Sequence, residues 1–185
     1  MLKFKKQKVI INLPQFKYRP NIYQSDDVEF GRGVCQCCGE KVDAYVCNMY
    51  CVEDVDCICL DCVASGLAAE KFDGQFVEWA EDITDAQKKE ELFKRTPGYS
   101  CWQGEHWLAC CDDYCAYLGP VGIDELQQMG IAEQVLADYR AHEEYQFTDE
   151  QFEDLCSSLE KDGSVCGYLF QCLHCGKYRL WIDMD

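Results

Sequence analysis

Val34-Cys35-Gln36-Cys37-Cys38-Gly39 is met 20 residues later by Cys59-Leu60-Asp61-Cys62. Two thiolates separated by two residues can grip one tetrahedral ion from a tight turn. The glycine that follows lets the backbone fold back and aim its amides at the sulfurs. Zinc takes four such ligands at roughly 2.3 Å, so one Cys-x-x-Cys pair needs a second. Cys35 and Cys38 with Cys59 and Cys62 have the spacing of a structural zinc site built from two pairs. The interval holds strand-like runs at Ala44-Tyr45-Val46 and Met49-Tyr50-Cys51-Val52, and a helix-like run, Val63 to Ala68, follows Cys62. Knuckle, hairpin and a ligand pair entering a helix is the order of a treble-clef finger.

Cys172-Leu173-His174-Cys175-Gly176 repeats the knuckle near the other end of the chain. Its partner pair is read as Cys111-Asp112-Asp113-Tyr114-Cys115, a Cys-x-x-x-Cys step at the entry to a short helix. Cys110, Cys101 and His106 are the alternative ligands. Two structural zinc ions are therefore expected, one on Cys35, Cys38, Cys59 and Cys62 and one on Cys111, Cys115, Cys172 and Cys175. Eight of the sixteen cysteines are left over. Cys47, Cys51, Cys101, Cys156 and Cys166 stand singly and read as small buried apolar residues. Cys37 and Cys57 lie beside ligand pairs without the right spacing, although Cys57-x-Cys59 competes for a place. The start of the chain lacks the apolar run of a secretory signal, and the chain is long enough for a real core, so reduced thiols and metal are expected before disulfides.

The remaining composition narrows the partners. At 185 residues with 48% apolar and 13% aromatic residues the chain is globular. No apolar run approaches the ~20 residues that span a bilayer. The first 25 residues hold six Lys or Arg and no acid. From Asp26 onward 34 acidic residues face 11 basic ones, a net of −23. Such a surface repels phosphate backbones, which argues against nucleic acid and favours a basic or neutral protein partner.

Taken in order, residues 1–12 read as a basic N-terminal arm and Leu13 to Pro20 as extended chain, because each proline biases its predecessor away from helix. Residues 21–33 read as a loop. Phe72 and Phe76 are expected to pack back on the finger. Thr84-Asp85-Ala86-Gln87 and Thr148-Asp149-Glu150-Gln151 read as capping boxes, the first opening a helix to about Arg95. Helices are also expected at Asp124 to Met129, ended by Gly130, and at Ala132 to Ala141. Val165 to Gln171 and Tyr178 to Ile182 should flank the last knuckle as a β-hairpin. The expected fold is α+β: small antiparallel β elements and helices built around two four-cysteine zinc sites with treble-clef or zinc-ribbon knuckles. Residues 13–185 read as one domain, with the first zinc finger at 35–75 and the second zinc-binding half at 96–185.

Several stretches resemble the CbrC family, bacterial proteins named for an association with colicin tolerance. They are Leu13-Pro14-x-Phe16-x-Tyr18-x-Pro20, Cys35-x-Cys37-Cys38-Gly39, Cys59-x-x-Cys62-x-Ala64-x-Gly66-x-Ala68-x-x-Lys71-Phe72-Asp73, Arg95-Thr96-Pro97-Gly98-Tyr99-Ser100-x-Trp102-Gln103, Trp107-Leu108-x-x-Cys111-x-Asp113-x-Cys115-Ala116-x-Leu118-Gly119 and Tyr168-Leu169-Phe170-x-Cys172-Leu173-His174-Cys175-Gly176. The match runs over about residues 13–183. The resemblance implies Cys111 and Cys115 as partners of Cys172 and Cys175, and a cytoplasmic protein. The chain departs from the resemblance in carrying Cys110 where a histidine is expected.

Three functions follow. Four thiolates close a metal site and leave no open position for water or substrate, so the first is a non-enzymatic, zinc-stabilised interaction protein, connected through the resemblance with colicin tolerance or a stress response. Its working surface would be Trp102, Gln103, Glu105, His106 and Trp107. The second is a hydrolase-like enzyme in which His106 and Glu105 activate a thiol such as Cys101 or Cys110. The third is a thiol–zinc redox switch, since Cys-x-x-Cys pairs cycle between dithiol and disulfide.

Overall fold

A computed structural model describes residues 13–142 and 146–184. The basic arm read at 1–12 lies outside the described residues. Strands β1 (Glu29–Val34) and β2 (Lys41–Val46) form an antiparallel hairpin whose connection is the first knuckle, and β3 (Ile58–Cys59) adds to β2. The loop expected at residues 21–33 gives way to strand β1 from Glu29. Gly33 is needed for close approach: a Cβ there would sit 2.7 Å from Cys57 Sγ. Met49 to Val52 is not a strand; only Tyr50 pairs, through a bridge to Gln75.

Helix α1 (Leu60–Ala64) starts at Cys59, and α2 (Leu67–Lys71) follows after Gly66 takes the left-handed conformation. Cys35, Val46, Ile58, Leu60, Val63 and Phe76 form the core of this first module, with Phe72 packed against it. Strand β4 (Trp79–Ala80) leads to α3 (Ala86–Arg95). The cap of α3 is Asp85, whose carboxylate accepts from the amides of Gln87 and Lys88; the expected Thr84 is used elsewhere. Strand β5 (His106–Trp107) pairs in parallel with β4.

The second module is a sheet in the order β10-β9-β8, formed by β8 (Ala116–Val121), β9 (Val165–Gln171) and β10 (Tyr178–Met184). Side chains alternate across a strand, and both faces are buried. Cys166, Tyr168 and Phe170 of β9 join Tyr99, Trp107 and Tyr117 in an aromatic core. Leu169, Leu180 and Ile182 point the other way, into a core closed by α4 (Ile123–Gln128), α5 (Ala132–His142) and α6 (Asp149–Ser158). Thr148 caps α6 as the sequence predicts, accepting from Gln151 N at 3.2 Å while Gln151 Oε1 accepts from Thr148 N at 3.0 Å. Mixed helix and small antiparallel sheets are thus the architecture. Among the described residues no helix is long and apolar enough to cross a membrane.

Candidate metal centres

Each Cys-x-x-Cys-Gly sequence forms a six-residue hairpin loop with the same backbone bonds. In the first, Cys35 N donates to Glu40 O at 2.9 Å and Gly39 N to Cys35 O at 2.7 Å. In the second, Cys172 N donates to Lys177 O at 2.8 Å and Gly176 N to Cys172 O at 3.1 Å. Gly39 and Gly176 sit at φ 79° and 72°, the left-handed region that closes the turn. The amides so turned inward meet the sulfurs. Those of His174 and Cys175 lie 3.4 and 3.5 Å from Cys172 Sγ, and from outside the first loop Cys59 N, in β3, lies 3.2 Å from Cys35 Sγ. Lys71 Nζ clamps the first loop from outside, donating to the carbonyls of Gln36 at 2.7 Å and Cys37 at 2.6 Å.

The structure brings Cys35, Cys38, Cys59 and Cys62 together, with all four sulfurs within 4.8 Å of one another. A second group with the same spread is Cys110, Cys111, Cys172 and Cys175. Tetrahedral zinc with sulfurs at roughly 2.3 Å separates them by roughly 3.8 Å. The recorded separations are 3.9 Å for Cys38–Cys59, 3.8 Å for Cys110–Cys111 and 3.7 Å for Cys110–Cys175. Either cluster could hold a metal ion on that geometry.

Cys115, read from the sequence as a ligand, lies outside the second cluster, and Cys110 stands in it instead. A four-residue step puts two cysteines on one face of a helix, but residues 109–114 are a hairpin. Strand β6 (Ala109–Cys110) pairs antiparallel with β7 (Asp113–Tyr114), and Cys111 and Asp112 make the two-residue turn with φ 56° and 53°. Two left-handed residues are the mark of a type I′ turn. Cys110 and Cys111 thus reach the knuckle side by side, while Cys115 lies past the turn, fully buried, its amide on Leu108 O at 2.9 Å. The signal in the sequence was the adjacency of Cys110 and Cys111.

Long-range contacts hold this unusual turn. Asp112 accepts from Thr84 N at 2.7 Å and Thr84 Oγ1 at 2.5 Å, and Lys88 Nζ donates to Asp112 O at 2.7 Å. This is why Thr84 does not cap α3. Arg179 grips β6 by donating to Ala109 O at 2.6 Å, while Glu81 accepts from Ala109 N at 2.6 Å. Asp113 is buried and satisfied by Tyr18 Oη at 2.8 Å and Lys17 Nζ at 2.9 Å, with His174 Nε2 at 2.8 Å. His174 stays exposed on the knuckle, as the sequence reading placed it.

The electrostatics divide each cluster. Burial works against ionisation of Cys35, but the amides of Cys59, Cys38 and Cys37 outweigh it and bring the thiol down to about 7. Burial likewise opposes ionisation of Cys172, and the amides of Cys175 and His174 bring it to about 6. Burial pushes Cys59 up to about 11, and Cys62 and Cys110 further. Cys35 and Cys172 are thus poised to ionise. A divalent cation would supply the charge needed to ionise the rest.

The cysteines read as small buried apolar residues divide. Cys166 is buried, Cys51, Cys101 and Cys156 are half-buried, and Cys47 is exposed. Glu105 and His106 diverge: Glu105 is buried and accepts from Tyr50 Oη at 2.5 Å, whereas His106 stacks on Trp181 at 4.0 Å. Trp107 is buried, and of the expected working surface Trp102 and Gln103 are exposed.

The model of an uncharacterised protein family, UPF0167, matches residues 13–184. UPF0167 proteins of Mycobacterium bovis and Mycobacterium tuberculosis are each 34% identical over 182 residues, covering 92% of this chain and 93% of theirs. One from Pseudomonas aeruginosa is 32% identical over 182 residues, covering 92% of this chain and 97% of its own. No solved structure matches.

Proposed function

The chain belongs to the UPF0167 family, and on that premise we propose that it is a non-enzymatic cytoplasmic protein held in shape by two structural zinc ions and acting through a protein partner. The observation that carries this reading is the pair of four-sulfur clusters, each within 4.8 Å. The ligands are Cys35, Cys38, Cys59 and Cys62 for one ion and Cys110, Cys111, Cys172 and Cys175 for the other. Four cysteine ligands leave no vacancy for water, so the metals stabilise rather than catalyse. On this reading residues 13–185 are one domain, with a treble-clef-like module around the first ion. The similarity to the CbrC family makes colicin tolerance or a stress response the process in which to look for the partner.

The partner surface on this reading takes in Trp102, 59% accessible, beside Tyr50 and Glu78 in one hollow, and Trp79, 63% accessible, next to Glu78 in the chain. Exposed aromatics of this size mark interaction surfaces, and the charge favours a basic or neutral protein over nucleic acid. Elemental analysis of the purified chain tests the metal assignment: two zinc per chain supports it, and zinc-free folded protein overturns it. Affinity capture from the native cell with wild type and a Trp79→Ala/Trp102→Ala double variant tests the surface. A partner retained equally by both rejects it.

A further inference from the structure

A cavity of about 590 Å³ opens between β8, the loop from Ser100 to Trp102 and the segment from Arg19 to Asp27. This is the size of a small-molecule site. None of the eight clustered cysteines lines it, so it stands apart from the metal reading. Tyr117, Tyr168 and Trp102 supply aromatic surface, and Trp102 is fixed by its Nε1 donating to Gly163 O at 3.2 Å.

Tyr117 is the informative residue. Its side chain is 95% buried, with 5% of its surface left accessible. Its ring is stacked on Tyr99 at 4.3 Å, and the Arg19 guanidinium lies 5.0 Å from its centroid. Its hydroxyl makes no hydrogen bond among the described residues. The described side-chain atom that is both partnerless and sealed from solvent is Arg95 Nε. Tyr117 Oη is therefore partnerless but unsealed, in a residue that lines the cavity. A buried polar group is normally satisfied. Burial pushes this phenol well above its usual range, so the group waiting for a partner is a donor.

Arg19 and Asp27 already hold one another at the wall at 2.7 Å, and Asp27 also accepts from Ser100 N at 3.0 Å and Ser100 Oγ at 2.7 Å. Lys161 stands with Asp26 and Asp162 at the wall. Asp26, Asp27 and Asp162 outnumber Arg19 and Lys161 along the lining, so no surplus of cation attracts an anion.

We propose that this cavity binds a small uncharged planar molecule, whose carbonyl or ring-nitrogen acceptor takes a hydrogen bond from Tyr117 Oη while its flat body lies against Tyr168 and Trp102. Benzamide carries such an acceptor, and toluene has a similar shape without one. Both are titrated into the full metal-loaded chain, and the Trp102 indole and Ser100 amide resonances are followed. Benzamide should shift both, and Tyr117→Phe should weaken it about fivefold to tenfold while leaving toluene unchanged. Tyr117→Phe removes only a hydroxyl with no internal partner, so it keeps the fold. Trp102→Ala, at an exposed position, should weaken both probes. Equal benzamide affinity in wild type and Tyr117→Phe overturns the proposal. So does tighter binding of benzoate or benzamidinium than of benzamide, or no movement of Trp102 up to the solubility limit.

Discussion

Tyr18 Oη donates a 2.8 Å hydrogen bond to Oδ1 of Asp113, joining residues 95 positions apart. Asp113 follows the turn that presents Cys110 and Cys111, so the segment near the start of the described chain braces the second sulfur cluster. Burial opposes ionisation of Asp113, but Lys17, His174 and Tyr18 outweigh it and hold its carboxyl far below the usual range. Tyr18→Phe removes one bond of the set and should cost about 1 kcal/mol in urea unfolding. Asp113→Ala strands the buried hydroxyl and should cost about 3 kcal/mol. Equal losses in the two variants would mean that the carboxylate is not the hub.

The two candidate ligands at the second cluster separate cleanly by metal content. Cys110→Ser should lower bound zinc from two ions per chain to one. Cys115→Ala should leave both in place, because its sulfur lies in the core. The reverse result in elemental analysis would restore the four-residue spacing as the ligand pair.

Thiol counting gives an independent reading of the same sites. Eight of the sixteen cysteines should resist a thiol reagent until a chelator is added. Chelation should then melt the modules, since metal affinity is folding energy in such sites. Free reaction of all sixteen without metal release would favour the redox reading over the structural one.

The knuckle glycines act through backbone conformation alone. A Cβ on Gly39 or Gly176 meets nothing within 4 Å, so Gly39→Ala adds only the penalty of a left-handed L-residue. That is about 1–2 kcal/mol. Gly39→Asn should cost less, because asparagine visits this region more readily. A thermal melt that ranks the two variants the other way would point to a steric cause.

Glu105 should make stability depend on pH. Burial raises its carboxyl above the ordinary value, with Tyr50 and the Glu78 amide pulling the other way. For an acid raised in the fold, the stabilising contribution is complete below the unfolded value of about 4.3 and is lost as pH rises through the folded one. Glu105→Gln, which keeps an acceptor for Tyr50, should therefore match wild type near pH 4 and exceed it at pH 8. A constant difference across that range would show that hydrogen bonding, not charge, governs the site.

Local spacing determined a good deal by itself. Cys-x-x-Cys-Gly admits few backbones that turn both sulfurs inward, so both knuckles were legible, as were the strands flanking the second, expected at 165–171 and 178–182 and found at Val165–Gln171 and Tyr178–Met184. So were Thr148 and Gln151 at the start of α6, because a capping box is a contact three residues long. Residues 109–115 were not legible, because their local pattern serves a helix or a hairpin equally well. Contacts from Thr84, Lys88 and Arg179, each more than 20 positions away, hold the hairpin. That placed Cys110 in the cluster and Cys115 in the core. The sequence chose the chemistry through the types and local spacing of its ligands, while long-range packing chose which sulfurs meet, because a ligand's direction depends on the backbone its distant neighbours impose.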